Sequence, residues 1–106
     1  PADLFEEILE LQDTLNEYRA ADRTSETGQQ LRAKLQAEQL TLEQRKQDME
    51  TNLQQLFTDW DKLQDQGDAT SHARSERDRL LKQMREILSN RTYVKSIVND
   101  LVATIG

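Results

Sequence analysis

Leu35, Leu42, Met49, Leu56 and Leu63 stand seven residues apart through the middle of the chain. Two turns of an α-helix take about 7.2 residues, so side chains at that spacing return to nearly the same side. Leu31, Leu53 and Trp60 fill in the stripe at steps of three and four. Neither glycine nor proline interrupts residues 29–66. The pattern predicts one long helix over 27–64 with a coiled-coil seam. Gln39 and Lys46 occupy the other core position at mid-length, where polar residues cost stability but hold register.

Two further stripes flank it. Leu4, Ile8, Leu11, Leu15 and Tyr18 predict a first helix over 3–20, with Asp3 as N-cap and Glu6 completing a capping box. Leu80, Met84, Ile87, Val94, Val98, Leu101 and Ile105 predict a third over 71–105, with Arg91 interrupting. Its second half adds Leu88, Tyr93, Ile97 and Val102, an apolar arc wide enough to touch two neighbours. The linker is read as 21–28 and the second turn as 66–71, with Gly67 just past the second helix and Thr70 or Ser71 capping the third. Helices of roughly 35–38 residues reach about 55 Å, against about 27 Å for the first. The expected fold is therefore all-α: an antiparallel three-helix bundle or coiled coil, with a short first helix covering half of a long two-helix hairpin. Residues 1–106 form a single domain, and the start at Pro1 marks it as the expected C-terminal part of a longer chain.

A chain 35% apolar and 32% charged cannot form a thick core, only narrow seams between amphipathic helices. Its net charge of −6 argues against a nucleic-acid partner, whose phosphates call for a basic face. There is no cysteine, so no thiolate chemistry and no direct iron–sulfur ligation. His72 is the single histidine, followed by alanine, and no second imidazole could join it on a metal. Neither a phosphate-binding glycine loop nor a nucleophile elbow occurs. No catalysis, cofactor or metal is expected, and no apolar run approaches the length that spans a bilayer.

The informative residues lie off the core stripes. Phe5 and Leu9 fall about 90–140° from the centre of the first stripe at about 100° per residue. Asp13 continues their line, and Glu6, Glu10 and Glu17 lie on the adjoining acidic face. Folding the chain about its two turns brings Phe5 and Leu9 level with residues 40–43 of the second helix and with Tyr93 of the third. An apolar pair ringed by acids suits a protein-binding surface; alternatively the pair packs on the third helix. Trp60 lies on the seam. Phe57 lies off it and, with Leu81, is a candidate for burial against a second copy of the chain. The basic cluster of Arg74, Arg77, Arg79, Lys82 and Arg85 interleaves with acids as a solvated, ion-paired face.

The opening DLFEEILELQDTL (3–15) resembles the first helix of the C-terminal domain of HscB-type J-domain co-chaperones. Leu56-Phe57-Thr58-Asp59-Trp60 is similar to that family's middle helix. The segment NRTYVKSIVNDL (90–101) is similar to its final helix, with an aromatic at Tyr93. The resemblance implies the scaffold-binding domain of a cytoplasmic, bacterial-type co-chaperone for iron–sulfur cluster assembly. Such a domain docks an IscU-type scaffold protein, which a separate J-domain hands to a DnaK-type chaperone. Carried onto this sequence, the docking residues are Phe5, Leu9, Glu10, Asp13, Glu17 and Tyr93. Glu6 departs from the apolar residue usual in the family, the His-Pro-Asp tripeptide of J-domains is absent, and the linker and hairpin are larger than typical. A different class of function, a structural coiled-coil spacer that associates with itself, is the alternative.

Overall fold

The computed structural model describes residues 2–65 and 70–106, so Gly67 lies outside the described residues. Three α-helices account for nearly all of them: α1 (Ala2–Ala20), α2 (Glu26–Asp65) and α3 (Ser71–Ile105). They run up, down and up, in a rod measuring 65 × 20 × 15 Å. The all-α bundle with a short first helix is as the periodicity predicts. Asp3, however, does not cap α1. The helix already includes Ala2, and Asp3 sits in the first turn, where a carboxylate faces the positive end of the helix dipole. Thr70 caps α3: it is extended, and its hydroxyl accepts the Ala73 N–H at 3.1 Å.

α2 starts at Glu26, one residue before the predicted start, so Thr27 and Gly28, where the helix and linker readings overlapped, lie in the helix. Side-chain hydrogen bonds build the turn. The Asp22 carboxylate accepts the Thr24 N–H at 2.9 Å and the Thr24 hydroxyl at 2.7 Å. These two donors, the hydroxyl foremost, hold its carboxyl below the usual range. Ser25 donates from its amide (3.1 Å) and its hydroxyl (2.6 Å) to the Asp22 carbonyl. The same hydroxyl accepts the Gly28 N–H at 3.0 Å, which makes Ser25 the N-cap of α2. Gly28 is buried under this turn. A Cβ there would stand 2.2 Å from the Asp22 carbonyl oxygen, so hydrogen is the only side chain the close approach admits.

The core divides along the rod. At the three-helix end Leu4, Ile8, Leu11, Leu15 and Tyr18 of α1 meet Leu35 and Leu42 of α2 and Val94, Ile97, Val98, Leu101 and Ile105 of α3. Thr14 is also buried, and its hydroxyl is satisfied by the Glu10 carbonyl at 3.1 Å. Tyr18 is fully buried, yet its phenol oxygen accepts from Arg32 at 3.3 Å, and the Arg23 guanidinium lies 5.3 Å from its ring centroid. At the two-helix end Leu53, Leu80 and Met84 are buried, while Leu56, Trp60, Leu63 and Ile87 are only partly covered. Trp60 therefore belongs to the seam. Gln39 and Lys46 are half-buried beside it, as their heptad position requires.

The wide apolar arc of α3 is only partly used. Ile97 is buried, but Leu88, Tyr93 and Val102 remain exposed. α1 is too narrow to cover both flanks of α3. It rests in the groove on one side of the hairpin and leaves the other side open.

Candidate functional site

Three polar ties fix how the helices face one another. Arg19 of α1 donates to the Thr104 hydroxyl of α3 at 3.1 Å. Glu7 of α1 pairs with Arg45 of α2. Arg91 of α3 pairs with Glu50 of α2 at 3.0 Å. Together they set axial level and rotation for every exposed side chain.

The level follows from the first tie. α1 and α3 run parallel with Arg19 beside Thr104, so Phe5 lies near Asn90 and Leu9 near Val94. Tyr93 then falls between them, about 1.5 Å from the level of Leu9 and about 4.5 Å from that of Phe5. The Glu7–Arg45 pair places Phe5 opposite Gln47 and Leu9 opposite Glu43 on α2, about a turn further along for Phe5 than loop counting predicts.

Rotation separates the candidate residues into two groups. On α1, Arg19 and Glu7 lie about 60° to either side of the buried stripe, one reaching α3 and the other α2. Phe5 and Leu9 lie on the Arg19 side, about 100° and 140° round. On α3, Tyr93 lies about 20° beyond Thr104, on the side that faces α1. Phe5 and Leu9 on one bank and Tyr93 on the other therefore border the α1–α3 groove at one height. They are exposed by 55%, 45% and 53% respectively, so none is sealed in the core.

The acids do not share that bank. Asp13 lies on the outward ridge of α1. Glu10 lines the opposite groove, between α1 and α2, with Glu7, Thr14, Lys34, Glu38 and Arg45. Glu17 is exposed and turned to the same flank as Glu10 by helical rotation. The six residues named from the sequence thus wrap the exposed surface of α1, with the apolar three on the α3 side and two of the acids toward α2.

An aromatic side chain carries about 150–250 Å² of surface, so Phe5 and Tyr93 at half exposure leave on the order of 200 Å² unburied. At about 25 cal/mol per Å², covering it is worth about 5 kcal/mol before the costs of association. That suits an anchor for a partner. Among the described residues no group of three His, Cys, Asp or Glu could hold a metal ion. His72 is exposed at the far end of α3. No helix among the described residues is long and apolar enough to cross a membrane.

The sequence reading missed the Arg19–Thr104 tie, which sets the level of the apolar three, and the exposure of Leu88 and Val102. A helical wheel of α3 does carry the second signal: both residues sit on the flank opposite Tyr93. Compared with known proteins, the chain matches no family model, no curated protein and no solved structure.

Proposed function

We propose that this is a protein-binding domain whose docking face is the α1–α3 groove, with Phe5, Leu9 and Tyr93 as apolar anchors, Asp13 on the adjoining outward ridge, and Glu10 and Glu17 farther round α1 toward α2. The observation that carries the reading is the exposure of all three anchors at a single height on facing banks. Large apolar side chains held half out of solvent by a rigid bundle are what a partner can cover with little ordering cost. The acids on the outer and α2-facing sides of α1 favour a partner that reaches round α1 with basic residues, which steers encounter and excludes acidic competitors.

The resemblance to the HscB-type C-terminal domain supplies the partner in this proposal: an IscU-type iron–sulfur scaffold protein, delivered to a DnaK-type chaperone by a J-domain elsewhere in the co-chaperone. Of the six positions that the family pattern names, Phe5, Leu9 and Tyr93 border the α1–α3 groove, and this supports the reading; Glu10 and Glu17 lie toward α2. Titration of a labelled IscU-type scaffold against the wild type and a Phe5→Ala/Tyr93→Ala double variant tests the proposal. Truncating two anchors is expected to weaken binding by about 2 kcal/mol or more, roughly thirtyfold, with the melting temperature little changed because both side chains are exposed. Equal binding by the two proteins would overturn the assigned face, and absence of binding by the wild type would overturn the assigned partner.

A further inference from the structure

The side of the hairpin away from α1 carries its own pattern. The Arg91–Glu50 pair lies on that side and sets the register of α2 against α3. Counting from it in opposite directions along the antiparallel helices, Phe57 comes level with Met84. By helical rotation Phe57 falls within about 20° of Glu50, while Leu81 and Leu88 lie on the same side of α3 as Arg91. Phe57 is 42% exposed, Leu88 is 44% exposed and Leu81 is half-buried. This end of the rod has no third helix, and its seam residues Leu56, Trp60, Leu63 and Ile87 are incompletely covered.

We propose that this face binds a second copy of the same chain, with the two-fold axis parallel to the helices, so that Phe57 of each protomer enters the hole formed by Leu81, Met84, Arg85 and Leu88 of the other. Those four positions are spaced i, i+3, i+4 and i+7, the spacing of a coiled-coil hole. Phe57 stands at their mid-height, and the buried Met84 forms the floor.

Charge selects this arrangement. Along the line of Phe57, α2 presents Glu43 and Asp61, with Glu50 between them already paired to Arg91 of its own protomer. Along the line of Leu81 and Leu88, α3 presents Arg74, Arg85 and Lys95, with Asp78 at its edge. A two-fold axis parallel to the helices lays α2 of one protomer on α3 of its partner at the same level, acid on base. A two-fold axis across the helices would lay α2 on α2 and α3 on α3, acid on acid and base on base, which is unfavourable at close range. Lys46 lies about 20° from Phe57 on this line and comes level with Lys95 of the partner, so it offsets one acid; being half-buried, it leaves the α2 side net acidic and the α3 side net basic. The size also fits. Roughly 40 Å of a face 20 Å wide offers about 800 Å² per protomer, the area a standard interface buries. The product is a four-helix arrangement over the length that α1 leaves bare. The Phe5–Tyr93 groove is on the other side of the hairpin, so this inference does not rest on the proposed docking function.

Sedimentation equilibrium over about 10 µM to 1 mM is expected to show a monomer–dimer equilibrium. Phe57→Glu and, separately, Leu88→Glu are expected to weaken it at least tenfold with helical content retained; both sites are exposed, and either variant alone suffices for the test. The chain has no cysteine, so disulfide trapping reads the axis directly. Mixed Gln54→Cys and Arg85→Cys protomers are expected to cross-link to each other, with little Gln54→Cys homodimer. A monomer throughout, a dimer indifferent to both glutamate variants, or preferential trapping of Gln54→Cys with itself would each overturn the proposal.

Discussion

Replacing Gly28 with alanine isolates the contact that decides where α1 turns back onto α2. In an ordinary helix interior the change would stabilise the protein by about 1 kcal/mol, because glycine loses more backbone freedom on folding than alanine. Here the new methyl would stand 2.2 Å from the Asp22 carbonyl oxygen and 3.1 Å from both the Asp22 carbonyl carbon and the Arg23 Cα. That oxygen cannot simply swing aside, since it accepts two hydrogen bonds from Ser25. Moving the turn also threatens the bond from the Gly28 N–H to the Ser25 hydroxyl, the cap of α2. Overpacking of this kind costs about 1–3 kcal/mol, and loss of a cap adds about 1. Set against the propensity gain, the net expectation is a loss of about 1–3 kcal/mol. For a domain near 100 residues each kcal/mol lowers the melting temperature by about 4–8 °C. Thermal unfolding followed by circular dichroism at 222 nm measures it. A Gly28→Ala protein as stable as the wild type, or more so, would refute the reasoning and show that the turn relaxes freely.

Two other expectations follow from the same structure. Leu35→Ala removes a wholly buried side chain where all three helices meet and is expected to cost about 2–5 kcal/mol; Leu40→Ala, at a residue 70% exposed, should change stability by less than about 0.5 kcal/mol, and urea denaturation distinguishes the two. Asp22 has its folded pKa lowered, chiefly by the Thr24 hydroxyl, so its contribution is complete above the ordinary carboxylate pKa of about 4 and is lost as pH falls through the lower folded value. The stability gap between wild type and Asp22→Asn is therefore expected to stay level from pH 7 to about 5 and to close below about 4, in melts recorded across that range.

The candidate docking face shows how far residue patterns reach. Phe5, Leu9 and Tyr93 are visible as off-stripe residues because a helical wheel needs only the rise and rotation of an α-helix. Their placement on two banks of one groove depends on which flank of α1 packs against α3. That is decided by long-range ties such as Arg19–Thr104, whose partners are separated by 85 positions. Grouping Glu10 and Glu17 with the apolar three was natural from the wheel of α1 alone. The presence of α2 beside that flank turns Glu10 toward Lys34, Glu38 and Arg45 instead.

The heptads and the scarcity of glycine and proline were enough, without coordinates, to dictate three helices, their order and their unequal lengths. Those are consequences of local periodicity and of the reach of a chain at fixed rise per residue. Tertiary structure alone decided that α1 lies in one groove of the hairpin and not the other, leaving Leu88 and Val102 bare while Ile97 is sealed. It likewise decided that Thr27 and Gly28, which the sequence placed in both the second helix and the linker, belong to α2. Side chains 85 positions apart choose each other only when packing brings them to the same height, and a one-dimensional pattern carries no record of that meeting.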